Sequence, residues 1–329
     1  MLHHVLNISD FTKSDLDYIL QVAGNIAKNP QRYSEVAKGK ILATLFFEPS
    51  TRTRLSFESA MLRLGGGVIG FSDMSNSSSS KGETTEDTSR IVSCYCDVMA
   101  IRHPEAFAPH KMAAVATVPV INAGDGANEH PTQTLTDLVT ICQRFERLDN
   151  LTIGLCGDLK YGRTVHSLIK MLARYPGNRF VLIAPEALQM PADILELLEQ
   201  EHIPYTINSN LENAIPELDV LYMTRIQRER FEDKAEYEKL KGVYILTREK
   251  LEHAKQTMAV LHPLPRVDEI STNVDTDERA WYFKQAQFGV YARMALIIAL
   301  LGLNDQMGED LVYVRTATER QIGRLPQGA

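Results

Sequence analysis

The feature that most restricts the fold of this chain is a recurring pair of segments: a short apolar run followed by a stretch with helical spacing. Because the runs show no polar alternation, they predict strands buried on both faces, as in parallel sheets covered by helices. The candidate strands are ILATLFF from Ile41, VMAIR from Val98, VPVINA from Val118, LTIGLC from Leu151, RFVLIA from Arg179, DVLYMT from Asp219, VYIL from Val243 and MAVLHP from Met258. Helical stretches such as ADILELLEQ after Pro191 lie between them. The pattern predicts an α/β protein with two doubly wound domains, each a parallel sheet flanked by helices, joined by interdomain helices.

The length of the chain also favours two domains, because 329 residues exceed the usual size of one hydrophobic core. A helical segment from Pro131 to about Leu148 would lead from one domain to the other, with a joint at residues 148–150. We expect a first domain at residues 1–134 with a returning helix at about 288–303, and a second at 150–287. Residues 304–329 form a tail of unknown role.

Composition excludes several classes of protein. Asp and Glu total 42 against 35 Lys and Arg, a formal net charge of −7 that disfavours nucleic-acid binding. The first residues, MLHHVLNISDFTKSDL, do not show the basic-then-apolar pattern of a signal peptide, and the longest apolar run, residues 294–303, is shorter than the ~20 residues of a membrane span. Four cysteines show neither CxxC pairing nor zinc-ligand spacing with histidine. We therefore expect a cytoplasmic protein with reduced cysteines and no membrane contact.

Residues 46–57, FFEPSTRTRLSF, join the end of a strand to the start of a helix. The first helical turn carries the side chains of Ser50, Thr51, Arg52 and Thr53. Hydroxyls and a guanidinium beside the N–H groups and positive dipole end of a helix form a phosphate site, although a Ser/Thr pair alone is commonly only a cap. Arg52 and Arg54 lie about 200° apart on a helix, so only one can face the anion. We assign that role to Arg52 and expect Arg54 to pair with Glu58.

A serine-rich stretch, SNSSSSKGE at residues 75–83, is the one low-complexity segment of the sequence. Such composition is typical of a flexible linker. The lysine that ends it supports a second reading, in which a mobile loop delivers Lys81 and a serine hydroxyl to an anionic ligand.

In the first half, further polar groups follow predicted strands. Arg102 ends VMAIR, and NAGDGANEHPTQTLTDL passes from a strand through a glycine-rich turn into a helix with Pro131 in its first turn. His130 and Gln133 would stand at the mouth of this helix. The positive helix end disfavours imidazolium, so a neutral His130 could donate one hydrogen bond to a carbonyl oxygen, or simply fix the turn.

In the second half, Arg163 lies in CGDLKYGRT after one strand and Arg225 in YMTRIQRER after another. HPLPR, residues 262–266, follows MAVL, and its two prolines predict a rigid turn whose Pro263 and Leu264 carbonyls could face a ligand. Isolated arginines are commonly solvated. Four arginines that each follow a predicted strand indicate an anion-binding site. They are Arg102, Arg163, Arg225 and Arg266.

Together these segments resemble the catalytic chain of aspartate carbamoyltransferase, in the aspartate/ornithine carbamoyltransferase superfamily. The matching segments, in the family's order, are FFEPSTRTRLSFE, the loop ending SKGET, MAIRHP, NAGDGANEHPTQTLTDL, GDLKYGRTVHS, YMTRIQRER and HPLPRVDEI. The resemblance covers about residues 5–303 and is highly specific.

The resemblance implies transfer of the carbamoyl group of carbamoyl phosphate to the amine of L-aspartate, as in pyrimidine (UMP) biosynthesis, without metal or organic cofactor. Carbamoyl phosphate would contact Ser50, Thr51, Arg52, Thr53, Arg102, His130, Gln133, Leu264 and Pro265. L-Aspartate would contact Lys81, Arg163, Arg225 and Gln227. Catalysis would rest on Arg52, Thr53, Arg102, His130 and Lys81, with orientation and electrostatics in place of an obvious general base.

The resemblance also implies partners. In the family, the serine/lysine loop enters the site of a neighbouring subunit, so Ser78 and Lys81 imply a homotrimer with shared sites. The serine used within residues 77–80 stays open, as does a separate regulatory chain.

Three other functions share part of this sequence pattern. Ornithine carbamoyltransferase shares STRTR but is expected to carry SMG and HCLP, and Arg225 would repel the ornithine ammonium group. The segment GDLKYGRT at residues 157–164 nearly fits a P-loop, but arginine replaces its lysine and a strand-end aspartate for magnesium is missing. A non-catalytic homologue would have lost site residues, and all those named are present.

Overall fold

The computed structural model describes residues 2–72, 82–226 and 242–303. The chain forms two compact units. The first unit comprises Met1–Thr132 and the described residues from Phe288 onward, and the second comprises Gln133–Gln287. Each unit contains a parallel sheet flanked by helices, which confirms the predicted α/β fold class.

The sheet of the first unit has the order β2-β1-β3-β4. Its strands are β1 (Ile41–Phe46), β2 (Gly67–Phe71), β3 (Val98–His103) and β4 (Val120–Asp125). The helices that begin in this unit are α1 (Lys13–Lys28), α2 (Thr51–Arg63), α3 (Thr85–Ser93), α4 (Ala108–Ala113) and α5 (Pro131–Phe145), with 3-10 turns at Ile8–Asp10 and Pro30–Tyr33. The apolar side chains of β1, β3 and β4 are buried on both faces, as the continuous apolar runs predict.

The sheet of the second unit has the order β7-β6-β5-β8-β9. Its strands are β5 (Thr152–Cys156), β6 (Arg179–Ile183), β7 (Tyr205–Asn208), β8 (Val220–Met223) and β9 (Ala259–Leu261). The helices are α6 (Arg163–Leu172), α7 (Ala192–Gln200), α8 (Leu211–Ala214) and α9 (Tyr282–Leu300), and 3-10 turns occupy Glu186–Leu188, Ile215–Glu217, Lys250–His253 and Thr272–Val274. None of the helices within the described ranges is long and apolar enough to cross a membrane.

Each sheet has one point at which the strand order reverses, between β1 and β3 in the first unit and between β5 and β8 in the second. In the first unit β1 lies between β2 and β3, in the second β5 lies between β6 and β8, and all four of these pairings are parallel. At such a switch point the loops after two neighbouring strands leave in opposite directions and open a crevice for ligands. These crevices therefore lie at the loops that follow β1 and β3 in the first unit and β5 and β8 in the second.

The structure differs from the sequence reading at four elements. The segment VYIL is not a strand: Val243 is exposed, and only an isolated bridge joins Leu246 to Ile270. Strands β2 and β7, which the sequence reading missed, lie at sheet edges and are largely exposed, so they lack the apolar signature of a central strand. Helix α5 ends at Phe145 rather than near Leu148, because Glu146 adopts a left-handed conformation with φ 57°.

Candidate active site

The turn after β1 presents polar side chains at the start of α2. Arg54 N donates to Ser50 O at 3.2 Å, the first bond of the helix, so the preceding N–H groups lie beyond the helical ladder. Thr51 and Arg52 are exposed, and Ser50 and Thr53 are partly exposed. Hydroxyls, helix N–H groups and a guanidinium thus share one accessible turn, which suits a phosphate.

The second arginine of this segment has a structural role. The Arg54 guanidinium donates from Nε to Glu58 Oε1 at 2.7 Å, which confirms the predicted pairing. The same carboxylate oxygen accepts from Thr44 Oγ1 at 3.1 Å, so the pair ties α2 to strand β1.

Arg102 lies beside this turn because β3 pairs with β1 in a register that matches Phe46 to Arg102. Its Nε donates to Glu48 Oε1 at 2.7 Å, and Nη1 donates to Ala123 O at 3.3 Å. Gly124, with φ 116°, makes room for it: a Cβ there would lie 2.9 Å from Arg102 Nη1 and 3.5 Å from the His130 ring. Arg102 and His130, two of the residues that the resemblance assigns to carbamoyl phosphate, therefore border Gly124.

The His130 ring is buried and has a hydroxyl partner. Thr132 Oγ1 lies 3.3 Å from His130 Nδ1, and Arg293 Nη2 donates to Thr132 Oγ1 at 3.3 Å. Because a guanidinium can only donate, the threonine oxygen accepts from Arg293 and can give its own proton to Nδ1. When the hydroxyl donates to Nδ1, the proton of a neutral His130 lies on Nε2, the tautomer that can donate to a carbonyl oxygen.

In the second unit, the turn after β5 packs closely against the turn after β8 at Gly157. This glycine has φ 120°, and a Cβ on it would lie 2.3 Å from Thr224 O. Asp158 N donates to Thr224 Oγ1 at 2.9 Å, and Asp158 Oδ1 accepts from Tyr161 N at 2.9 Å. These bonds fix the turn that begins α6 with Arg163 against the residue that precedes Arg225, so two predicted carboxylate-binding groups share one edge of the sheet.

The HPLPR turn is held by a buried histidine. His262 Nδ1 accepts from Leu264 N at 2.7 Å, and Nε2 lies 2.7 Å from Glu269 Oε1. Leu264 has φ 55°, an uncommon conformation for leucine that these bonds maintain. Burial alone would raise the pKa of Glu269, but hydrogen bonds from His262 and from backbone N–H groups, including that of Val267, outweigh it and lower this pKa.

The sequence reading did not identify several polar residues that support these groups. They are Glu48, Thr132, Asp137, Tyr222, Gln285 and Arg293. The only local signal was an arginine, Arg293, within the apolar run of α9, and an aspartate, Asp137, one helical turn after Gln133. Three predicted site residues, Ser78, Lys81 and Gln227, lie outside the described residues.

The cysteines show no sign of catalytic activation. Burial raises the pKa of Cys96 to about 11, and it raises that of Cys156 further. Both therefore remain thiols at neutral pH. Within residues 2–72, 82–226 and 242–303, no group of three or more His, Cys, Asp or Glu side chains is arranged to hold a metal ion.

The fold and these side chains define a class of protein: a two-unit α/β protein with predicted anion-binding groups at the switch point of each sheet. Residues 3–143 match the family domain described as "Aspartate/ornithine carbamoyltransferase, carbamoyl-P binding domain". Residues 149–300 match "Aspartate/ornithine carbamoyltransferase, Asp/Orn binding domain". The chain belongs to the aspartate/ornithine carbamoyltransferase family.

Individual relatives agree with this assignment. The chain is 58% identical over 300 residues to the aspartate carbamoyltransferase catalytic subunit of Clostridium novyi, covering 91% of this chain and 98% of that protein. It is 56% identical over 306 residues to the same subunit of Lachnoclostridium phytofermentans, covering 93% and 100%. Among solved structures, the catalytic subunit of M. jannaschii aspartate transcarbamoylase superposes with a TM-score of 0.87 at 45% identity, covering 93% of this chain and 99% of that one. The Trypanosoma cruzi enzyme in complex with carbamoyl phosphate and aspartate gives 0.84 at 40% identity, covering 90% and 96%.

Proposed function

We propose that this chain is an aspartate carbamoyltransferase catalytic chain, which transfers the carbamoyl group of carbamoyl phosphate to the amine of L-aspartate. The products are N-carbamoyl-L-aspartate and inorganic phosphate. The observation that carries this proposal is the pair of switch points: a phosphate-type turn after β1 in the first unit and two arginines after β5 and β8 in the second. Relatives 56–58% identical over nearly their whole length bear the same name.

For carbamoyl phosphate, each end of the molecule has a matching set of groups. Ser50, Thr51, Arg52 and Thr53 would bind the phosphate through hydroxyls, N–H groups and a guanidinium. Thr53, Arg102 and the Nε2–H of His130 would polarise the carbonyl oxygen. The amide of Gln133 and the backbone carbonyls of Leu264 and Pro265 would accept from the carbamoyl N–H groups.

For L-aspartate, charge decides the assignment. Arg163 and Arg225 offer planar forks that suit two carboxylates, with Gln227 and Lys81 completing the set. The neutral amine attacks the carbonyl carbon, a C–N bond forms, and the bond from that carbon to the bridging oxygen breaks. The departing phosphate carries away the negative charge and is itself a base for the amine proton. Donors fixed toward the carbonyl oxygen stabilise the charge that develops there, each contributing about 3–4 kcal/mol.

The same charges disfavour ornithine as the acceptor. Arg225 follows β8, where an ornithine enzyme would have to accommodate an ammonium group, and its guanidinium would repel one.

We extend the proposal to the surroundings of the chain. It acts in the cytoplasm, in pyrimidine (UMP) biosynthesis, as a homotrimer in which Ser78 and Lys81 of one subunit complete the site of the next. A separate regulatory chain is a further candidate partner. Support for the trimer is the family's shared-site arrangement together with the SNSSSSKGE segment.

The decisive experiment measures phosphate release from carbamoyl phosphate by the purified chain. We expect release that depends on L-aspartate and yields N-carbamoyl-L-aspartate, and little release with L-ornithine. Absence of aspartate-dependent release would overturn the proposal, and equal rates with the two amino acids would overturn the assignment of Arg225. An aspartate-saturation curve recorded with and without nucleotides, on the chain alone, separates intrinsic catalysis from any effect of a partner.

A further inference from the structure

The part of helix α5 that belongs to the second unit carries a fully buried carboxylate, which accepts several hydrogen bonds. Asp137 is 0% exposed. Its Oδ1 accepts from Gln133 Nε2 at 2.8 Å and from Gln285 Nε2 at 2.6 Å, and its Oδ2 accepts from Tyr222 Oη at 3.0 Å. Tyr222 and Gln285 are themselves buried, with exposures of 0% and 2%. A carboxylate removed from water needs such donors, so the network is a specified part of the core.

One member of the network, Gln133, is partly exposed and is a proposed ligand of the carbamoyl group. Its amide can be placed either way round, with nitrogen or oxygen toward Asp137. A carboxylate accepts only, so the nitrogen of the amide faces Asp137 and donates to Oδ1 at 2.8 Å.

Tyr222 imposes the same orientation. Its hydroxyl proton goes to Asp137 Oδ2, so its oxygen serves as an acceptor. Burial, and next the charge of Asp137, raise the pKa of Tyr222, while hydrogen bonds from Thr164 and Gln133 act to lower it. The nitrogen end of Gln133 is thus directed at two acceptors, and its oxygen is the end of the amide that remains for a ligand.

The network continues to the HPLPR turn. Gln285 donates to Asp137, and its Oε1 accepts from His262 N at 2.9 Å. The His262 ring in turn accepts from Leu264 N. Through Gln285, the carboxylate that orients the Gln133 amide is connected to the turn whose carbonyls are the other proposed acceptors.

We propose that Asp137 is a positioning residue that presents the oxygen of Gln133 to the substrate and thereby sets selectivity for a carbamoyl over an acetyl group. This inference rests on the proposed function. Carbamoyl phosphate and acetyl phosphate share the phosphate and the carbonyl and are nearly equal in size. They differ in that an NH₂ group, with two donors, stands where acetyl phosphate has a methyl group. An amide oxygen held in place favours the NH₂ group, and an amide free to turn favours neither.

The test compares binding of carbamoyl phosphate and acetyl phosphate by the full chain, using calorimetry or protection from unfolding. In Asp137→Ala, we expect the dissociation constant of carbamoyl phosphate to rise roughly tenfold, the value of about one good hydrogen bond, while that of acetyl phosphate changes less than about twofold. Asp137→Asn retains one acceptor oxygen and should show a smaller loss in the same direction. It also provides a folded variant if the alanine chain is too unstable.

Asp219→Ala is the matched control. Asp219 precedes β8, at the end of the strand opposite Arg225, and accepts from Thr152 N at 2.8 Å and Lys255 Nζ at 2.7 Å. Its loss should lower stability and leave the ratio of the two dissociation constants unchanged. A double variant with Gln133→Ala completes a mutant cycle: because Asp137 acts through Gln133, Asp137→Ala should add nothing once Gln133 is gone.

The outcomes separate the inference from the proposed function. A parallel loss for both phosphates, an unchanged carbamoyl phosphate constant, or additive effects in the double variant would each overturn the positioning role. If the wild-type chain binds carbamoyl phosphate in preference to acetyl phosphate but transfers nothing to L-aspartate, the proposed function fails while the binding ratios still test Asp137. A wild-type chain that does not distinguish the two phosphates overturns the inference directly.

Discussion

Arg52 and Arg54, two residues apart on one helix, have different tasks. Arg52 is exposed in the first turn of α2, whereas Arg54 lies against Glu58 at 2.7 Å. We expect Arg52→Ala to lower kcat about 100-fold to 1,000-fold, as for loss of one donor to a developing charge. Arg54→Ala, the matched control, should retain most activity and lose only about 0.5 kcal/mol of stability, because the pair is partly exposed. Steady-state kinetics and denaturant unfolding of both variants test the division, and comparable kcat values would contradict it.

The hydroxyl of Thr132 has a smaller predicted effect on the same reaction. It lies 3.3 Å from His130 Nδ1, and as a donor to that nitrogen it would keep the proton of the neutral ring on Nε2. Thr132→Val keeps the shape of the side chain and removes that bond, so kcat should fall about tenfold. Thr132→Ser keeps the hydroxyl and should stay within about twofold. Equal activity of the valine and serine variants would show that the hydroxyl does not act on His130.

The sequence could predict the division between Arg52 and Arg54, because both positions and Glu58 lie within two turns of one helix. It could not predict the partner of Thr132, since Arg293 is 161 residues away and only folding brings the two together. Asp137 was overlooked for a related reason. Asp137 lies one helical turn from Gln133, but the role of this pair depends on the hydrogen bonds from Tyr222 and Gln285. These two residues are 85 and 148 positions away in the sequence.

At the level of elements, burial decided which strands were predictable. The central strands β1, β3, β5 and β8 are buried on both faces and read as apolar runs. Edge strands β2 and β7 face solvent, so their sequences GVIGF and YTIN carry no such run. The switch points lie between central strands. The loops with the predicted site residues therefore follow strands that the sequence predicts well.

The turn after β5 depends on a glycine, which gives an element-scale prediction. Gly157 has φ 120°, and a Cβ would lie 2.3 Å from Thr224 O. Gly157→Ala should therefore cost more than about 3 kcal/mol in stability, and it should raise the KM for L-aspartate by displacing the segment that leads to Arg225. The measurements are thermal unfolding and aspartate saturation.

Gly39→Ala is the control for Gly157→Ala. Gly39 has φ 79° but no heavy atom within 4 Å of a built Cβ, so only the backbone cost of about 1 kcal/mol should appear. If the two variants lose the same stability, steric overlap with Thr224 is not the cause.

For the whole molecule, one buried and two partly buried histidines predict a stability that declines in mild acid. Burial lowers the pKa of His4, His103 and His166 from the ordinary value of 6.5. Below that value the unfolded chain binds protons that the folded chain does not, so stability falls as the pH drops from about 6.5. Above it these histidines contribute no pH dependence. The depressed pKa of Glu269 adds a second loss, which begins only as the pH falls below about 4.5, its ordinary value.

Thermal unfolding at about pH 8, 6.5 and 5.5 measures the first of these losses. His103→Asn is the informative variant, because His103 Nδ1 accepts from Glu105 N at 3.0 Å and an asparagine oxygen can replace that acceptor without titrating. It should flatten the decline between about pH 6.5 and 5.5. A decline of unchanged steepness would assign the acid sensitivity to other groups.

The proposed trimer makes the sharpest prediction at this scale, because a shared site can be rebuilt from two inactive chains. Arg52→Ala and Lys81→Ala should each abolish most activity. If Arg52 of one subunit and Lys81 of its neighbour serve the same site, equal random mixing during assembly leaves about one quarter of the sites with both residues intact. Co-assembly of differently tagged chains should therefore recover about a quarter of wild-type activity.

Arg163→Ala supplies the control for this mixing experiment. Arg52 and Arg163 would act in the site of the same subunit, so no arrangement of Arg52→Ala and Arg163→Ala chains restores a complete site. Recovery with Lys81→Ala and none with Arg163→Ala therefore requires that the lysine reach across subunits, whereas recovery in neither mixture places Lys81 in the site of its own subunit. Recovery in both mixtures would mean that the chains exchange part of a subunit rather than whole subunits. Sedimentation of the mixed assemblies shows whether they differ in size from the homotrimer.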